Sequence, residues 1–221
     1  VQIAHKIELK ANNKQKTYFA RACGVSRFTY NWALNEWNTL YEKNRSCSSE
    51  EKEKISGLSL KKKFNAIKKE QFPWTKEVTK YAAQQPFIDL QNAFNRFFKK
   101  LGGKPKFKKK GQDDSFYVGG DQIKVAGRKI WVPNLGFVRL KESLRYQGKI
   151  NSATFSRMAD RWFVSIQLDT AEVICDWSSG LAIIRNTVQP FMENQYPPLT
   201  EAGIPIVRPS FVTTKFKFGM L

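Results

Sequence analysis

The residues of this sequence with the most evident chemistry are its lysines. Lys104-Pro-Lys-Phe-Lys-Lys-Lys110 sets Lys104, Lys106, Lys108, Lys109 and Lys110 around one aromatic residue, Phe107. Each lysine that neutralises a phosphate also releases condensed counterions, so such a run draws polyanions. Lys99 and Lys100 lie just upstream, and Lys61, Lys62, Lys63, Lys68 and Lys69 form an earlier cluster. The formal net charge is +19, yet the last 49 residues carry only four basic and three acidic residues. Residues 1–172 therefore hold +18 of it. Basic charge interleaved with aromatics over so much of a chain is the electrostatic footprint of a nucleic-acid-binding protein.

Other chemistries find less support. Asp113, Asp114, Asp121, Asp160 and Asp169 fall in no metal-ligand pattern and read as turn or surface acids. The single histidine, His5, has no Cys, Asp or second His beside it, which makes it structural. Cys23, Cys47 and Cys175 are too scattered for a disulfide framework or paired zinc ligands, as expected of a reducing interior. No run of about 18 apolar residues is present, so a membrane span is not expected. A cytoplasmic, nucleoid-associated protein is the expectation.

The elements that must hold the lysines follow from periodicity. Val1–Lys10 alternates as a half-buried strand. From about Lys14 the period is helical, with Gly24-Val25-Ser26 predicted to break it and Ser26 to cap a second helix carrying Arg27 and Asn31 one turn apart. Tyr30, Ala33, Leu34, Trp37 and Tyr41 would be its apolar stripe. Asn44–Gly57 reads as a loop, and a basic helix follows with Leu60, Phe64 and Ile67 on its apolar edge. Pro73 interrupts, Trp74 and Thr75 start a short helix to about Gln84, and Pro86 opens another. Phe87, Leu90, Phe94, Phe97 and Leu101 would bury one face of it, and Gly102-Gly103 would stop it. Strands are expected at 115–118, 122–125, 129–132 and 137–140, with a tight turn at Ala126-Gly127-Arg128. Lys149–Met158 and Arg161–Leu168 form the clearest hairpin, joined near Ala159-Asp160. Beyond them come two short strand-like runs, then a proline-rich tail expected to pack irregularly. The class is thus α+β: a small β-barrel of OB-like or wedge type interrupted by a helical insertion, with a short irregular C-terminal remnant. The boundaries are 1–12 for the first barrel strand, 13–103 for the insertion, 104–172 for the rest of the barrel and 173–221 for the remnant.

Several segments share a likeness. CGVSRFTYNWALNEW (Cys23–Trp37) resembles the N-terminal helix-turn-helix of TnpB (OrfB) proteins, which bacterial insertion sequences encode. QQPFIDLQNAFNRFFKK (Gln84–Lys100) with GKPKFKKKG (Gly103–Gly111) resembles that family's next landmark, and ATFSRMADRWFVSIQL (Ala153–Leu168) its barrel region. The resemblance covers about residues 1–172. It implies a relative of compact RNA-guided DNA endonucleases, themselves related to type V CRISPR effectors, with guide RNA and double-stranded DNA as partners. In such systems base pairing reads most of the sequence, and the protein reads backbone shape and a short flanking motif. Arg27 and Asn31 fall in the matched helix-turn-helix, and Lys104–Lys110 in the matched basic link.

The family's nuclease half uses magnesium held by three separated carboxylates, and a zinc ribbon of paired cysteines. Here Ile174-Cys-Asp-Trp-Ser178 stands where a G-x-D-x-G-like strand end is expected. Asp176 is a weak candidate for the first acid; only Glu193 and Glu201 follow, and no CxxC pair occurs. Two-metal cleavage requires such ligands to clamp the attacking and leaving oxygens. The expectation is therefore a truncated TnpB-like protein that binds guide RNA and target DNA without cleaving, with no metal cofactor. Two alternatives stay open: an endonuclease completed by a partner chain, and an RNA-independent helix-turn-helix repressor.

Overall fold

A computed structural model describes residues 1–46 and 52–170, and the backbone of two short strands, 174–176 and 181–183. The proline-rich tail and Cys47 lie outside the described residues, and the expected 44–57 loop lies partly outside them. The chain divides into two compact units: Ala4–Leu144 with Ile150–Gln167, and Val1–Ile3 with Arg145–Lys149 and Leu168–Leu221. The larger unit holds three helices and most of a seven-stranded sheet. In the smaller unit, Ile174–Asp176 and Leu181–Ile183 pair as an antiparallel hairpin.

The class is α+β, as the alternation of periods indicated. Strand β1 (Gln2–Lys10) is followed by helices α1 (Asn13–Ser46), α2 (Gly57–Gln71) and α3 (Lys80–Phe98). Six strands come next: β2 (Ser115–Gly119), β3 (Lys124–Ala126), β4 (Lys129–Val132), β5 (Gly136–Leu140), β6 (Lys149–Met158) and β7 (Arg161–Asp169). The sheet order is β2-β6-β7-β1-β5-β4-β3, so the N-terminal strand lies in the middle and joins strands made more than a hundred residues later. The order is linear: β2 and β3 are its ends, and the ladder does not close into the barrel anticipated from sequence. The expected turn over Gly127-Arg128 and the β6–β7 hairpin are both present.

The helices depart from expectation in three places. Residues 13–46 form a single helix of 34 residues that passes through Gly24, Val25 and Ser26 without a break. Val25 and Ser26 are buried on that helix, and packing outweighs the roughly 1 kcal/mol that an interior glycine costs. A Cβ added at Gly24 meets no atom within 4 Å. Gly24→Ala is therefore expected to raise unfolding free energy by about 1 kcal/mol in urea titration; a loss of stability would mean that a turn exists there. Second, α3 starts at Lys80 behind its N-cap Thr79, and Pro86 sits inside it, after a 3-10 turn over Pro73–Glu77. The apolar side chains that follow hold the helix despite the missing N–H: Phe87, Leu90 and Phe94 are all buried. Third, α3 ends before the glycine pair. Lys100 adopts φ 58°, Leu101 N–H reaches Arg96 O at 2.8 Å and Lys100 N–H reaches Phe97 O at 2.9 Å, the two bonds of a Schellman cap. That cap turns Leu101 outward, and it is 67% exposed instead of buried.

Helix α1 is long because it serves two cores. Its first turns present Phe19, wholly buried, to the sheet, where it stacks on Phe155 at 5.4 Å and meets Phe116 and Trp162. Its C-terminal half packs on α3, with Trp37 stacked on Phe94 at 4.1 Å. Of the expected stripe, Tyr30, Ala33, Leu34 and Trp37 are buried and Tyr41 is 51% exposed. A capping box at Ser56 and Ser59 starts α2, whose Leu60 and Phe64 enter the same helical core. Tyr18 ties the two cores together: its hydroxyl donates to Pro133 O at 2.8 Å and accepts from Thr79 N at 3.0 Å. Burial pushes that phenol up to about 12.

Candidate nucleic-acid interface

Residues 104–110 have no regular secondary structure, and their lysines and Phe107 are exposed. An isolated lysine run of this kind would be a solvated coil. Here it is fastened to one face of α1. The Asn31 amide makes two bonds to the main chain of Lys108: Nδ2 donates to its carbonyl at 2.9 Å, and its N–H donates to Oδ1 at 2.8 Å. This is the pairing a neighbouring strand would supply. The Lys108 ammonium lies 4.5 Å from the centre of the Tyr30 ring. Arg27 pairs with Asp114 at 2.7 Å, both side chains largely buried, which anchors the exit of the segment where β2 begins. Residues 27, 30 and 31 share one helical face, so the unbroken α1 sets all three anchors on one rigid element.

Arg27 and Asn31 thus meet the basic link itself. The sequence pointed to both residues and to the link, but not to their contact, because partners 77 and 87 residues apart leave no local signal. Tyr30 and Asp114 were missed as anchors for the same reason.

The other sequence-marked lysines lie on the helices. Lys62 and Lys69 are exposed on α2, and Lys99 and Lys100 sit at the exposed end of α3. Lys61 is half-buried, and Lys63 pairs with Glu36. Lys68 edges a cleft of about 310 Å³ together with Lys76, Lys80, Gln122 and Asn134. Burial, aided by the like charges of Lys61, Lys69 and Lys76, lowers the pKa of Lys68. Elsewhere cations find acids: Lys43 with Glu53, Lys80 with Asp121, Lys141 with Glu8. Among the described residues, Lys62, Lys69, Lys99, Lys100, Lys104, Lys106, Lys109 and Lys110 have no carboxylate within ion-pair distance.

Several acids of the described residues are engaged in structure. Asp114 holds Arg27, and Asp160 holds Arg157 at 3.1 Å. Asp121 accepts from the Tyr81 hydroxyl at 2.5 Å; this bond holds the carboxyl below its usual range and pushes the phenol up to about 12. No three His, Cys, Asp or Glu side chains among the described residues converge as a metal site, so these residues do not fit the magnesium and zinc centres that the resemblance implies. Burial pushes the Cys23 thiol up to about 12, which suits a core side chain and not a nucleophile. His5 is buried on β1 with Nε2 3.4 Å from Glu142. The side chains of Cys175, Asp176, Glu193 and Glu201 lie outside the described residues.

Residues 1–46 match a family model described as a helix-turn-helix domain, of the OrfB type of IS605 elements. The Escherichia coli (strain K12) protein named "Putative RNA-guided DNA endonuclease InsQ" is 30% identical over 168 residues, which cover 76% of this chain and 40% of that protein. The match thus takes in less than half of that relative. No described helix is long and apolar enough to cross a membrane.

Proposed function

Since the N-terminal part of this chain belongs to the TnpB (OrfB) family, we propose that it is a nucleic-acid-binding protein of an insertion sequence that holds a guide RNA and, through it, target DNA. In this reading the described residues bind and do not cleave. The observation that carries it is the lysine segment 104–110, exposed, without acid partners and moored to α1 by Asn31. A flexible lysine tract would lose conformational entropy each time it bound; this one is already ordered, so more of its charge interaction appears as affinity. Arg27 and Asn31 act through that segment: they set where its charges stand. The unpaired lysines of α2 and the end of α3 extend the basic surface on the same helical insertion. Backbone charge contacts of this sort carry no sequence information by themselves, which fits a protein whose specificity comes from a paired guide.

The test is to purify the chain without nuclease treatment and sequence what comes with it. A discrete RNA is expected to copurify, and RNase is expected to abolish sequence-selective duplex binding. Undiminished selective binding by the RNase-treated protein would favour an RNA-independent repressor and overturn the guide-dependent reading. With that RNA, magnesium and a matched plasmid, no cutting is expected; cutting abolished by Asp176→Ala would overturn the non-cleaving part.

A further inference from the structure

Three large apolar side chains stand in water at one end of the helical insertion. Helices α1 and α3 run in the same direction: Trp32 meets Phe87 with ring centres 6.3 Å apart, and Trp37 stacks on Phe94 at 4.1 Å. One turn beyond that stack on each helix come Tyr41 and Phe98, so both belong to the same end of the pair. Tyr41 is 51% exposed, Phe98 61% and, just past the end of α3, Leu101 67%. Phe98 also stacks on Phe94 at 6.0 Å, so the aromatic column of the core runs out to the surface there. Nor does the cap of α3 require Leu101. A Schellman cap usually rests its outermost apolar residue on the helix, but the positions that would receive it are Arg96 and Asn95. Single apolar residues are ordinary on a surface; three gathered at one end of a helix pair mark a docking face.

The free charge beside them has one sign. Arg96, Lys99 and Lys100, on the last turn and cap of α3, are exposed and have no carboxylate within ion-pair distance. On the last turns of α1, Glu42 is already held by Arg45 at 3.6 Å, and Lys43 by Glu53 at 2.6 Å. A helix C-terminus carries roughly half a negative charge, which accounts for less than one of the three cations. A second copy of this chain would bring its own Arg96, Lys99 and Lys100, and a further net charge of +19, against them. Nucleic acid would satisfy the cations, but Leu101 has no flat face on which a base could stack. Apolar contact flanked by unneutralised cations is complementary to a helix that sets acids beside an apolar stripe.

We propose that this end of α1 and α3 docks an acidic amphipathic helix of another protein, its apolar stripe on Tyr41, Phe98 and Leu101 and its carboxylates on Arg96, Lys99 and Lys100. The inference goes beyond the proposed function, which assigns the chain nucleic-acid partners alone.

The test titrates the full chain, stripped of nucleic acid, with a short synthetic helix carrying leucines at i, i+3, i+4 and i+7 and glutamates elsewhere. The same helix with lysines for glutamates is the control. The acidic helix is expected to bind and the lysine helix to stay free. Phe98→Ser with Leu101→Ser should weaken binding by about 30-fold or more, as truncation of a hot spot does. Leu101→Ser alone should keep the parental melting temperature and weaken binding by about tenfold, the worth of burying one leucine. Arg96→Gln, Lys99→Gln and Lys100→Gln together should slow association by about tenfold or more at low salt. An acidic helix that stays free, a lysine helix that binds equally, or parental affinity in both apolar variants would overturn the proposal, as would a parental association rate in the triple variant. Two other results would also overturn it: a dimer of the parent that Leu101→Ser dissociates gives the face to a second copy, and weaker binding of unstructured RNA by Leu101→Ser gives it to nucleic acid. None of these results bears on the segment 104–110, so the proposed function stands or falls separately.

Discussion

Replacing Lys106, Lys108, Lys109 and Lys110 together by glutamine is expected to weaken duplex binding for all sequences alike, and to take about 3 to 4 units off the slope of log K against log salt. That figure follows from roughly 0.9 per neutralised duplex phosphate. The four side chains are exposed, and the structure gives none of them an acid that would already screen it. Asn31→Ala provides the contrast. It removes no charge, so the slope should stay parental, but it releases the two bonds to Lys108. Ordering the freed segment then falls on the binding step, and about tenfold in affinity should go with the roughly 1–2 kcal/mol of one residue's backbone entropy. Limited proteolysis should also cut the variant faster between residues 104 and 110. Salt titration of a fluorescent duplex reads both variants; a quadruple variant with the parental slope would remove the segment from the interface.

Phe19→Ala should be the most destabilising of the simple substitutions, by about 3–5 kcal/mol in denaturant titration. The ring is wholly buried and meets Phe116, Phe155, Trp162 and Tyr18 at centroid distances of 5.2 to 6.2 Å. Three of these partners belong to the sheet, so truncation opens a cavity where α1 docks on it. Phe107→Ala is the matched control, since that ring is 53% exposed, and it should stay within about 0.5 kcal/mol of the parent. A loss below about 1 kcal/mol at Phe19 would mean that α1 is not held to the sheet by this cluster.

Both effects depend on α1 being one rigid rod. Its N-terminal turns seat Phe19 in the sheet, its middle holds the lysine segment through Arg27, Tyr30 and Asn31, and its C-terminal half stacks on α3 through Trp37. A hinge at Gly24 would uncouple the first of these from the other two. Gly24→Ala and Asn31→Ala therefore examine the same helix from two sides, one by stability and one by affinity.

Period and composition made much of the fold legible. Alternation marked β1, β4, β5 and the β6–β7 hairpin, because a half-buried strand must alternate to bury one face. Helical spacing marked Leu34, Trp37, Phe87, Leu90 and Phe94 as core, and all five are buried. The errors fell at the punctuation. Gly24, Pro86 and Gly102 carry strong local signals, and in two of the three cases tertiary burial of neighbouring side chains overrode them; in the third, Lys100 took the left-handed position a glycine would usually fill.

Charge was determined by the amino-acid sequence alone: +18 within residues 1–172, a lysine tract with Phe107 inside it, and a family likeness borne by ordered motifs. Tertiary structure decided what that charge stands on. Asn31 meets Lys108, Arg27 meets Asp114, and Lys10 faces Arg139 across 129 positions of chain only because β1 is laid between strands made much later. Local sequence encodes periodicity and charge, which act over a few residues; register and anchoring are long-range pairings, set by which buried faces fit together.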